Sequence, residues 1–280
     1  MLQLASLAVR PSMIDTHCHL TFDQFAGRAG RVLGDARAVG VHGAITVSTT
    51  SDNCRAGLKL AQQHEHLWCT AGAHPLYADE PCDWPLIKEV AQHPKCVAWG
   101  ELGLDNHYDK PSRAAQDHLL QEQLAFIERC AHEGLTKPIV VHCRKAVDDL
   151  LPIFRAASFD PSRYVFHCFS ETVDDARKIL DFGAWISFTG IVTFKNAAEV
   201  AEAARLVPAD RIMVETDAPF LSPEPVRKMY PNEPKNVVHT ARFIAQLRGV
   251  DPVDFERQLD ANAQQFFGID LPKSKRDSIL

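Results

Sequence analysis

Apolar and polar positions along the chain follow two alternating periods. Short, nearly continuous apolar runs stand at 13–17, 43–48, 67–73, 95–100, 137–142, 163–167, 183–188 and 211–216. Such runs read as parallel strands covered on both faces. Between them the period lengthens to that of a helix. At 113–134, Leu120, Leu124, Ile127 and Ala131 mark one face and Gly134 follows as a stop. The same pattern predicts helices at about 28–40, 53–66, 83–93, 145–157, 172–182, 196–207, 236–249 and 253–267. Eight strands alternating with helices predict an α/β protein, a single (β/α)8 TIM barrel. An open doubly wound sheet uses the same elements, but no GxGxxG follows the first strand, which argues against its dinucleotide-binding form. The proline-rich connection 218–235 holds little regular pattern, and a loop of that length inside a compact domain is usually functional.

A length of 280 residues suits one barrel domain, expected at 13–270, with an extension at 1–12 and a charged, fraying tail at 271–280. The hydrophobic share of 46% and charged share of 24% are those of an ordinary globular chain with a sizeable core. No apolar run approaches the ~20 residues of a membrane helix, and the first residues lack the layout of a signal peptide. Neither a membrane nor an obligatory protein partner is expected. The cysteines, at 18, 54, 69, 82, 96, 130, 143 and 168, include no CxxC pair, so free thiols in a reducing cytoplasm are expected. Cys18, Cys143 and Cys168 each follow a histidine at a predicted strand end, and alternation would turn them outward, under helices. A net charge of −6 excludes broad electrostatic capture of nucleic acid. An anionic substrate would have to be held locally.

The candidate chemistry gathers where predicted strands end. His17 and His19 close the first strand, and residues two apart on a strand share a face. Glu101 follows the fourth strand, His142 ends the fifth, His167 the sixth and Asp217 the eighth. Barrel active sites lie at the carboxyl ends of strands, so all six are expected on one rim as a metal site. Four imidazoles and two carboxylates exceed one ion's needs, which points to two divalent cations. His17, His19 and Asp217 are assigned to one and His142 with His167 to the other, with Glu101 shared because a carboxylate has two oxygens to divide. Two close cations would activate a water and clamp an ester, with Asp217 accepting the water's proton. Mixed nitrogen and oxygen donors do not choose among Mg, Mn and Zn.

These motifs resemble the TatD family of metal-dependent deoxyribonucleases, a branch of the amidohydrolase-like barrels. The likeness runs from about Met13 to Phe267 through IDTHCHL, AGAHP, GELGLD, VVHCRKA, FHCFS, ISFTGIVTFKNA, VETDAPFLSP and NEP. It implies a two-metal barrel that hydrolyses phosphodiesters at DNA ends, as a 3′–5′ exonuclease on single strands. Two departures touch the substrate side. Glu171 stands where the family has glycine, and the last loop reads Arg227-Lys-Met-Tyr-Pro-Asn232-Glu-Pro without the family's glycine and one residue longer.

His74, at the end of the third strand, faces the same rim and could donate to a phosphate oxygen or leaving group. Arg144, Lys195 and Arg227 lie in or near rim loops and could pair with flanking phosphates. Phe22, Tyr77, Tyr108, Phe169, Phe194 and Tyr230 share those loops as candidates for stacking bases or covering the mouth. A second reading is an amide, lactone or acyl-ester hydrolase of the wider amidohydrolase group, whose metals a modified lysine often bridges; Glu101 at that position weighs against it. A third, a non-catalytic barrel, would have lost a ligand, and none is missing.

Overall fold

Each of the eight apolar runs forms a strand in the computed structural model, which describes residues 12–271. The expectations for 1–12 and 271–280 lie outside those residues, apart from Ser12 and Leu271. The strands are β1 (Met13–Cys18), β2 (Val41–Thr46), β3 (Leu67–Ala71), β4 (Cys96–Asp105), β5 (Ile139–Arg144), β6 (Tyr164–Phe166), β7 (Trp185–Phe188) and β8 (Ile212–Val214). The helices are α1 (Ala29–Ala38), α2 (Ser51–Gln62), α3 (Trp84–Gln92), α4 (Arg113–His132), α5 (Val147–Ala156), α6 (Val173–Phe182), α7 (Ala198–Leu206), α8 (Val237–Arg248) and α9 (Pro252–Phe267). The strands pair in parallel and in chain order. Ladder pairing stops at β8, and a single bridge between Cys18 and Ala218 joins its end back to β1, so the barrel is nearly closed. It is an α/β TIM barrel.

One residue from each strand (Ile14, Ile45, Trp68, Val97, Val140, Val165, Trp185 and Met213) meets in a single buried cluster, the barrel lumen. Ala263, Phe266 and Phe267 of α9, with Ile269 and Leu271, join that cluster and plug the amino-terminal end. Full burial of such side chains contributes about 1.5–3 kcal/mol each. A larger apolar layer packs between the strands and α1–α8. With the floor closed by α9, the carboxyl-terminal rim is the end left open.

The sequence placed the end of the fourth strand at residue 100, whereas β4 continues to Asp105. Its extension pairs with β5, Leu102 opposite Val141 and Asp105 opposite Arg144. Two glycines permit this. A Cβ on Gly100 (φ +122°) would stand 2.5 Å from the Val140 carbonyl oxygen, and one on Gly103 (φ +151°) 1.9 Å from that of His142. Any side chain there would push β5 away. Conversely, β6 and β8 stop early, so His167 lies just past its strand and Asp217 three residues past.

Candidate active site

Backbone pairing at the barrel seam sets the first half of the site. Asp217 N–H donates to the His17 carbonyl at 2.8 Å and His19 N–H to that of Ala218 at 2.7 Å. Asp217 is left-handed (φ +53°), a strained setting for a non-glycine residue and one that concentrates at functional sites. Its Oδ1 lies 3.2 Å from His19 Nε2 and 3.8 Å from His17 Nε2, while the two imidazole nitrogens are 3.3 Å apart. Across the mouth, Glu101 divides its oxygens. Oε1 stands 3.8 Å from Nε2 of His17, His19 and His74, and Oε2 is 2.7 Å from His167 Nε2 and 3.6 Å from His142 Nδ1.

Outer hydrogen bonds decide which nitrogen each ring presents. His19 Nδ1–H donates to the Val47 carbonyl at 3.1 Å, His142 Nε2–H to Asp105 Oδ2 at 3.0 Å and His167 Nδ1–H to Glu215 Oε1 at 3.3 Å. Each ring's other nitrogen therefore turns a bare lone pair toward the carboxylates, the arrangement by which outer partners orient metal-ligating histidines. His74 differs. Its Nδ1 accepts from Leu76 N–H at 3.0 Å, so Nε2 carries the proton and points at His142 Nδ1, 3.0 Å away.

Apart from His142 Nδ1, which the His74 N–H faces, the inner acceptors lack donors. Glu101 Oε2 and His167 Nε2 are buried and, despite their 2.7 Å approach, neither makes a well-directed hydrogen bond; His17 Nδ1 is also unpartnered. Acceptors crowded together without donors repel unless a cation lies among them, and buried polar groups are otherwise paired. The donor set thus fits divalent metal. His17, His19 and Asp217 form one compact group; His74, Glu101 and His142 form a second; His17, His167 and Glu215 a third. The first matches the trio assigned from sequence, whereas His142 and His167 fall into separate groups, each still facing Glu101 Oε2.

Burial pushes the Glu101 carboxyl up, but the surrounding imidazoles of His167, His74 and His17 outweigh it and hold it well below the usual range. Burial pulls His17 far down, and it pulls His74 to about 3 with help from His142, so both are neutral near pH 7. It also lowers His167, His142 and His19, but the facing carboxylates outweigh it and push all three up, a pull toward positive charge that a cation at the centre would meet instead.

The cluster floors a cavity of about 490 Å³. His74 and Arg144 line it with Tyr108, Phe22 and Phe220. Lys195 and Arg227 do not: the Arg227 guanidinium lies 3.9 Å from the Phe194 ring, in the loops after β7 and β8. Cys18 packs against the helix layer as alternation predicts, and Cys143 joins that layer while also lining the cavity. Cys168 does not join the layer. It takes φ +47° beyond the end of β6, where alternation no longer holds, and lines the mouth.

Three residues that sequence reading passed over support the site. Asp105, the last residue of GELGLD, holds His142. Glu215 is buried and accepts from Cys168 N–H and Ser187 Oγ–H, both at 2.6 Å, as well as from His167. Its spacing of two from Asp217 on one strand end was the available signal. Asn232, fully buried, donates to the carbonyls of Thr216 at 3.1 Å and Phe220 at 2.7 Å, fastening the long last loop over the mouth. Glu171 likewise has a structural task, accepting from the N–H of left-handed Lys145 at 2.7 Å.

The model of the family described as TatD related DNase matches residues 14–268. The chain is 35% identical over 264 residues to the uncharacterized metal-dependent hydrolase YcfH of Escherichia coli (strain K12), covering 93% of this chain and 97% of that one. It is 33% identical to the 3′-5′ ssDNA/RNA exonuclease TatD of Erwinia tasmaniensis, covering 92% and 100%. The crystal structure of YJJV, a TatD homologue from Escherichia coli K12, superposes with a TM-score of 0.85 at 27% identity, over 92% of this chain and 99% of that one.

Proposed function

The chain belongs to the TatD-related DNase family, and we propose that it is a two-metal 3′–5′ exonuclease on single-stranded DNA, with RNA as a related substrate. One relative bears the name of such an exonuclease, at 33% identity over nearly the whole of both chains. No helix among the described residues is long and apolar enough to cross a membrane, and the eight cysteines are unpaired, which fits the cytoplasm. The observation that carries the reading is the unpaired acceptor set around Glu101.

His17, His19 and Asp217 would hold one divalent cation and His142 with His167 the other, Glu101 lending one oxygen to each; Mg, Mn and Zn all suit such donors. The chemistry that such cations supply is Lewis-acid polarisation of a phosphoryl oxygen and of an attacking water. Asp217, at the edge of the cavity, accepts the water's proton on its free oxygen. His74, neutral and protonated on Nε2, donates that N–H to a phosphoryl or leaving oxygen. Arg144 reaches the same cavity and pairs with a flanking phosphate. With a net charge of −6, attraction for DNA comes from the centre and a few rim cations, which favours ends over long duplex.

Metal-stripped protein offered labelled single-stranded DNA, RNA and a simple acyl ester, with Mg, Mn or Zn restored separately, tests the reading. Stepwise shortening from the 3′ end is expected. Acyl-ester hydrolysis without any cutting of nucleic acid would establish the amidohydrolase alternative instead. Efficient cutting of closed circular DNA would rule out an end-directed enzyme.

A further inference from the structure

Five large hydrophobic side chains are exposed among the described residues: Tyr108, Phe220, Met229, Tyr230 and Val250. The first four stand on the loops that follow β4 and β8. Strands four apart in a ring of eight lie on opposite sides of the barrel, so these loops face each other across the mouth. Tyr108, 50% exposed, and Phe220, 42% exposed, line the same cavity with the donor cluster between them.

Each ring is braced against the centre. Phe220 follows Asp217 by three residues and donates its N–H to the Asp217 carbonyl at 2.9 Å, while its own carbonyl accepts from Asn232 at 2.7 Å. The Phe22 ring stands edge-on to it at 6.3 Å and is itself stacked on His19 at 4.6 Å. On the other side, Tyr108 N–H reaches Asp105 Oδ1 at 3.4 Å, and the Arg144 guanidinium lies 5.2 Å from the Tyr108 ring. Solvent-facing aromatics held at fixed offsets on both sides of a phosphate-reacting centre match one ligand shape. A phosphodiester seated at the cluster sends its two nucleosides toward opposite rims, where each base meets an aromatic face.

Building on the phosphodiesterase reading above, we propose that Phe220 and Tyr108 are base-stacking platforms, one for each nucleoside joined by the scissile phosphate. Paired bases already stack on their duplex neighbours, so platforms of this kind select unpaired ends without a basic face. Stacking on an aromatic side chain is tolerant of base identity, so no sequence preference follows.

The test uses short single-stranded oligodeoxynucleotides carrying an abasic residue at the 3′-terminal or the penultimate position, cut by the metal-restored enzyme. Each abasic residue should raise KM roughly 5- to 150-fold, the range that base–aromatic stacking supports. Phe220→Ala should erase discrimination at one position and Tyr108→Ala at the other, while Phe220→Trp restores it. Independently, 2-aminopurine at either position should lose fluorescence on binding metal-restored protein whose turnover is slowed by Asp217→Asn, and lose less when the matching alanine substitution is added. Equal cutting of intact and abasic strands, with unquenched 2-aminopurine, overturns the platforms and leaves the phosphodiesterase standing. No cutting of any strand with any metal removes both.

Discussion

Asp105→Asn isolates what a single outer carboxylate does for the centre. His142 Nε2–H donates to Asp105 Oδ2 at 3.0 Å, leaving Nδ1 bare toward Glu101. Burial raises the Asp105 carboxyl, but its contacts with His142 and the His107 N–H prevail and hold it below the usual range, so it is ionised at neutral pH. An amide nitrogen at Oδ2 would set donor against donor. Turning the amide over moves the conflict to His107 N–H, which now donates to Oδ1 at 2.8 Å. Relief comes from moving the imidazole proton to Nδ1, the atom that should bind metal. Restoring the ligating tautomer forfeits a charge-assisted hydrogen bond of about 1.5–3 kcal/mol. We therefore expect a loss of about 2 kcal/mol, roughly 30-fold in affinity, within the range found for outer-shell changes. Calorimetric titration of Mn²⁺ into stripped protein should show one of two binding events weakened and the other unchanged, because Asp105 touches His142 and none of the other proposed ligands. Two events weakened alike, or neither, would refute both the tautomer argument and the division of ligands between two sites.

Asp217→Asn should lower turnover by roughly 10²- to 10⁴-fold while leaving the melting temperature within a few degrees, since the amide cannot take the water's proton; full activity in steady-state assays would remove that role. Stripping metal should lower the melting temperature by roughly 5–10 °C relative to protein with metal at ~100 times its Kd; identical melting curves would mean that the cluster binds none of the added ions. Asp260, near Ile14 at the barrel floor, has a carboxyl pushed up to about 8, first by burial and further by Glu256. A folded-state pKa above the unfolded value contributes stability at low pH that is lost as pH rises toward about 8. The stability advantage of Asp260→Asn over the parent should therefore grow by up to ~1.4 kcal/mol per pH unit across that range. Urea midpoints at pH 5 and pH 7.5 that keep a constant gap would contradict it.

Much of this protein was legible in the chain because the information is local. Apolar runs and helical periods depend on near neighbours, so all eight strands and nine α-helices among the described residues could be read, though ends were not. Residues that close a strand must gather at one rim once strands are parallel, and the six proposed ligands do meet there. What only tertiary structure decided involves partners far apart in sequence. β4 overran its predicted end because Gly103 lets β5 approach, a contact no window of sequence contains. Glu215 reads as an ordinary strand-end acid until Ser187 and Thr16 from other strands, with His167 just past a third, surround it. Lys195 and Arg227 sit in the expected loops, yet loop membership does not say where a long side chain points, and Arg227 lies on Phe194. Cys168 shows the limit most simply: alternation predicts a face only while the backbone stays extended, and at φ +47° that premise fails. Period and composition determine which elements form; strand register and backbone turns, set by contacts between distant segments, determine which atoms meet.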